Sequence, residues 1–83
     1  MTAVDYSHLR SLTARRLVAA LLHEGFFMAR QTGSHRYYKQ PDGRRVTVSF
    51  HHPSDTFPLK TLRSMIEIQA RWQIEDLERL KLL

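Results

Sequence analysis

The chain has 83 residues, 42% of them hydrophobic, the size of one small domain with a modest core. It contains no cysteine, which excludes disulfides, thiolate catalysis and cysteine zinc sites and fits a reducing compartment. The net charge is +5, and no run approaches the roughly 18 apolar residues of a membrane span, so a soluble, cytoplasmic protein with no membrane partner is expected.

Residues 1–11 read as a weakly ordered N-terminal extension, and 12–83 as the folded domain. Thr13 suits a helix N-cap, and Leu17, Val18, Leu21 and Leu22 then recur on one helical face. Gly25 stops that helix after Glu24. Residues 26–31 read as a strand, Thr32-Gly33 as a turn, and 35–40 as a second strand. Pro41-Asp42-Gly43 is a strong turn signal, and residues 45–50 alternate cleanly as a third strand. Residues 51–56 form a loop, and Pro58 opens a second helix whose buried face holds Leu59, Leu62, Met65 and Ile66. Residues 74–82 read as a short last helix with Leu77 and Leu80 inward. The order is α-β-β-β-α with a short C-terminal helix. It predicts an α+β fold, a three-stranded antiparallel sheet with helices on one face, double-stranded-RNA-binding-domain-like in outline.

Loop chemistry sharpens the second hairpin. Gln40-Pro41-Asp42-Gly43 suits a type I turn closed by a left-handed glycine in a three-residue loop, so Gln40 pairs with Arg44. Counting back places His35 opposite Ser49, Tyr37 opposite Thr47 and Lys39 opposite Arg45, all on one face. Tyr38, Val46, Val48 and Phe50 take the other face, which suits a core. A two-residue loop would turn His35 inward, and the proline argues against it. The first strand stays unassigned, because Phe26/Met28 and Phe27/Ala29 are both apolar pairs.

The positive charge is concentrated in the middle. Residues 30–50 hold Arg30, Arg36, Lys39, Arg44 and Arg45 against one acid, Asp42, whereas residues 71–83 hold three bases and three acids. Such a patch suits a phosphate-bearing or acidic partner, with solvated strand faces as the bland alternative. Among the histidines, His8 and His23 read as ordinary surface residues. His51 and His52 are adjacent and point opposite ways on extended backbone, a poor chelating geometry, so no metal or other cofactor is expected. His35 follows Gly33-Ser34 at the start of a basic, aromatic strand, where an imidazole can exchange protons near neutrality.

Gly25-Phe26, Arg30-Gln31, Gly33-Ser34-His35, Pro41-Asp42-Gly43-Arg44, Thr47-Val48 and Thr61-Leu62-Arg63 occur in the order and spacing of the HicA toxin family. The chain resembles that family over about residues 12–83. The resemblance implies an mRNA interferase of a type II toxin–antitoxin system. It also implies a double-stranded-RNA-binding-like fold, a catalytic histidine at His35, and a HicB-type antitoxin partner that masks the active face. Two positions depart from the family: Ser49 stands where proline is common, and Arg71 where a glycine usually ends the helix.

The chemistry fits beside the resemblance. RNA carries its own nucleophile, the ribose 2′-hydroxyl, so a metal-independent endoribonuclease need only align that oxygen, move protons and stabilise the phosphorane charge. His35 is the candidate acid or base, a role worth about 10²–10⁴-fold in rate. Arg30, Ser34, Arg36, Tyr37, Lys39, Arg44 and Arg45 are candidates for RNA binding, with His51 or His52 as the second acid/base. The alternatives are a non-catalytic RNA-binding module using the same patch and a domain docking an acidic protein.

Overall fold

The computed structural model describes residues 6–83. Its elements are α1 (Ala14–His23), β1 (Phe27–Thr32), β2 (His35–Lys39), β3 (Arg45–Ser49), α2 (Leu59–Arg63, continued by a π-helical stretch Ser64–Gln69) and α3 (Ile74–Arg79). The strands form one antiparallel sheet in the order β1-β2-β3. Tyr38, Val46 and Val48 are buried with Leu17, Leu21, Leu62, Met65, Ile66 and Leu77, so the helices cover one face of the sheet as expected. Among the described residues no helix is long and apolar enough to cross a membrane.

Helix α1 begins at Thr13, whose hydroxyl accepts from the Arg16 N–H at 3.3 Å. Two further first-turn donors are satisfied by the 51–55 loop: Ala14 N–H bonds the Asp55 carbonyl at 2.8 Å and Arg15 N–H the Pro53 carbonyl at 2.9 Å. The helix ends in a Schellman motif at Gly25 (φ +89°), with Phe26 N–H on the Leu21 carbonyl and Gly25 N–H on the Leu22 carbonyl. Leu17 and Leu21 are inward and Val18 packs at the margin, but Leu22 is 53% exposed; Ala14 and Ala20 take its place on the buried stripe.

The β2–β3 register is the expected one. Gln40 N–H bonds the Arg44 carbonyl, Gly43 N–H bonds the Gln40 carbonyl, and His35 faces Ser49, Tyr37 faces Thr47 and Lys39 faces Arg45. The first hairpin is one residue longer on its β1 side than expected. Thr32 pairs with His35, and Gly33-Ser34 form a two-residue turn, with Gly33 at φ +58° as such a turn demands. A bulge between Met28 and Arg30 breaks alternation in β1, putting Phe27 opposite Lys39 and Arg30 opposite Tyr37.

The segment before α1 is more ordered than expected. Residues 1–5 lie outside the described residues, but Tyr6–Leu9 form a 3₁₀ turn, and Tyr6, Leu9 and Leu12 are buried. Tyr6 and Leu9 are one 3₁₀ turn apart and so share a face, and Leu12 follows through its N–H bond to the Leu9 carbonyl at 3.0 Å. The Tyr6 hydroxyl donates to the Glu67 carboxylate while the Arg63 guanidinium lies 5.3 Å from the ring centroid. Burial, then that carboxylate, push the Tyr6 phenol well above its ordinary value, so it remains a donor.

Leu59 is exposed rather than inward, because Pro58 is itself the cap and α2 turns its buried side only at Leu62. The π-helical stretch ends with Ala70 N–H on the Met65 carbonyl and Trp72 N–H on the Ile66 carbonyl. Arg71 takes the left-handed conformation there (φ +55°), so the helix stops without a glycine. Helix α3 is shorter than expected and ends at Arg79, closed by a Schellman motif through Lys81. Leu77 is buried and Leu80 partly so.

Candidate functional site

The sheet face turned away from the helices carries three cross-strand rows. They are Thr32–His35–Ser49, then Arg30–Tyr37–Thr47, then Phe27–Lys39–Arg45. No carboxylate stands in any of them. Asp42, in the β2–β3 loop, is occupied there: its carboxylate accepts the Arg44 backbone N–H at 3.0 Å and the Arg44 Nε at 2.7 Å. These contacts, the backbone bond first, hold the Asp42 carboxyl below the usual carboxylate range.

His35 is exposed at the first position of β2. The Ser34 and Ser49 hydroxyls lie 3.5 Å apart beside it, and Phe50 N–H bonds the Ser34 carbonyl, so this strand end is held together across the hairpin. The Gln31 amide donates to the Gly33 carbonyl at 3.1 Å and steadies the turn that delivers His35.

The 51–55 loop leaves the sheet at the same end. Both the His51 and His52 backbone N–H groups donate to Asp55 Oδ2, at 3.0 and 3.1 Å, and these two bonds hold the Asp55 carboxyl below its ordinary value. The bonds to Ala14 and Arg15 anchor the loop to α1, so the backbone carrying two exposed imidazoles is fixed rather than adrift. Among the described residues no three His, Asp or Glu side chains gather in a metal-binding group.

The five central cations divide into two sets. Arg30, Lys39 and Arg45 are exposed on the open face. Arg30 stacks over Tyr37, 4.5 Å from the ring centroid, and covers one side of that half-buried ring. Lys39 and Arg45 have no side-chain ion pair or hydrogen bond among the described residues. Arg36 and Arg44 are committed elsewhere. Arg36 faces the helix side opposite Val48, stacks 3.9 Å from the Phe50 centroid and bonds the Phe50 carbonyl at 3.3 Å. Arg44 is 19% exposed, bonds Asp42 and the Ala70 carbonyl at 2.7 Å each, and lies over Phe26. The Arg44 guanidinium ties the hairpin to the helix end at Ala70, that of Arg36 ties β2 to the residue after β3, and neither is free to meet a ligand.

Sequence reasoning missed Phe27 on this face. The bulge that places it leaves no alternation to read. A groove of about 430 Å³, lined by Arg16, Ala20, His23, Arg79 and Lys81 among others, opens between α1 and the chain end, and no sheet residue lines it. The proton-transfer chemistry available to His35 therefore belongs to the shallow open face and not to that groove.

No curated protein matches the chain. The family described as HicA toxin of bacterial toxin–antitoxin matches residues 14–72, which is most of the chain and contains the whole sheet, α1 and α2. That span includes the Gly33-Ser34-His35 turn and all three rows of the open face. The chain belongs to the HicA toxin family of bacterial toxin–antitoxin systems, and its role is that of the toxin, with an antitoxin as partner.

Proposed function

We propose that this toxin is an mRNA endonuclease that works without a metal cofactor, with His35 as its proton-transfer residue. The observation that carries the reading is His35 at the end of a cationic sheet face that holds no carboxylate. The ribose 2′-oxygen attacks the adjacent phosphorus and loses its proton to a base. The P–O5′ bond breaks, and the leaving oxygen takes a proton from an acid, giving a 2′,3′-cyclic phosphate and a 5′-hydroxyl. His35 fills one of these two roles, and His51 or His52, on the anchored loop, the other. Arg30, Lys39 and Arg45 hold the phosphates, and Ser34 and Ser49 donate beside His35. A HicB-type antitoxin neutralises the toxin by covering this face, an acidic or extended partner suiting three exposed cations.

The test is incubation of RNA with wild type and His35→Ala, with and without chelator. Wild type is expected to cleave in chelator. His35→Ala is expected to lose at least about 10²-fold in rate while its circular dichroism stays native, because the side chain is exposed. Full activity in the variant removes His35 from the mechanism, and chelator-sensitive cleavage removes metal independence. Salt-sensitive RNA binding by wild type with no product would instead favour a non-catalytic RNA-binding module.

A further inference from the structure

The third row of the open face ends in an aromatic ring that the fold does not use. Phe26 is buried edge-on against Trp72, with ring centroids 6.4 Å apart, whereas its neighbour Phe27 is 50% exposed. Among the described residues no other Phe, Tyr or Trp is as open. The bulge between Met28 and Arg30 turns Phe27 to the open face, opposite Lys39, which in turn faces Arg45. A half-exposed phenyl thus lies in one row with two cations that have no partner among the described residues. An apolar peptide patch would be poorly matched to that charge, while a nucleotide offers both a π-face for the ring and a phosphate for the cations.

We propose that Phe27 is a stacking platform for one unpaired base of the RNA, with Lys39 and Arg45 holding its phosphates. The proposal rests on the reading that the open face takes RNA. Successive same-face positions of a strand lie about 6.6 Å apart, so the Phe27 row is about 13 Å from the His35 row, a reach of about two extended nucleotides. The middle row lies between them, and there Arg30 already covers one side of Tyr37. Phe27 is therefore the ring with a free face. A base inside a duplex is stacked and paired and cannot reach it, so the substrate at this point is single-stranded.

The experiment measures binding in the His35→Ala background, where the RNA stays intact. Fluorescence anisotropy with labelled oligoadenylate, oligouridylate and an RNA duplex compares that protein with the added Phe27→Ala or Phe27→Trp change. Stacking is worth about 1–3 kcal/mol per base, so Phe27→Ala is expected to weaken oligoadenylate binding about 5- to 150-fold. Phe27→Trp is expected to retain binding, which separates loss of the ring from loss of fold. The larger purine should bind the parent more tightly than uridylate, and Phe27→Ala should narrow that difference. The salt dependence should keep its slope, because no charge is removed. Binding by Phe27→Ala within twofold of the parent overturns the proposal. So does an equal loss for duplex. A protein that binds oligoadenylate through Phe27 yet yields no product would keep this proposal and lose the nuclease reading.

Discussion

Arg44 and Arg45 are neighbours in the chain and opposites in use. Arg44 points to the helix side, where Asp42, the Ala70 carbonyl and the Phe26 ring occupy its guanidinium. Arg45 points to the open side and touches no partner among the described residues. The same contrast separates Arg36, stacked on Phe50, from Lys39 three residues on. The helix side of the sheet uses its charge to fasten secondary elements together. The open side keeps its charge for something outside the chain. A count of cations along the sequence cannot make that distinction, because strand alternation decides it residue by residue.

The sharpest way to test the division is to damage each side and read stability and RNA separately. On the helix side, Leu9→Ala removes a fully buried side chain from the segment before α1. A loss of about 2–5 kcal/mol in urea unfolding is expected, and a neutral result would mean that this segment does not belong to the core. Arg44→Ala breaks one ion pair and one charged hydrogen bond at a largely covered site. It should lower stability by about 1.5–3 kcal/mol. Arg45→Ala should leave the melting temperature within a degree or so yet reduce the slope of log affinity for RNA against log salt by about 1. If both arginines behaved alike, the two-sided picture would fail.

A smaller, opposite effect is expected at Arg71. Its left-handed backbone (φ +55°) costs a side-chain-bearing residue about 1 kcal/mol, so Arg71→Gly should raise stability by up to that amount in the same unfolding assay. The smallest effect concerns acid. Arg79 bonds both oxygens of Glu24 at 2.6 Å and holds that carboxyl below its ordinary value, and the Gln73 backbone N–H does the same for Asp76. A carboxyl lowered in the folded state stabilises fully above its unfolded value, about 4, and loses that contribution as pH falls through the folded value. The melting temperature should therefore hold from neutrality to about pH 5 and decline below pH 4. Glu24→Gln should blunt the decline, and an unchanged pH profile in that variant would show that the Arg79 fork contributes nothing.

What the sequence by itself determined lies where a few adjacent residues set local geometry. Thr13 and Gly25 bound α1, and the Pro41-Asp42-Gly43 loop sets the β2–β3 register. Through the period of two, that register decides that His35 faces outward beside Ser49. Gly33-Ser34 marks the turn within one residue. Tertiary structure decided the rest. No local signal announces the bulge in β1, so nothing in the residues said that Phe27 rather than Phe26 would stand on the open face. The docking of the Tyr6–Leu9 turn depends on α2 and its π-helical continuation, where Glu67 receives the Tyr6 hydroxyl from 61 positions away. The capture of Arg44 by Ala70 likewise joins residues 26 positions apart. Turn and cap energies act over three or four residues and are written into short motifs. Packing against distant elements is settled only when the whole core closes, and that closure chose which cations and which ring remain free.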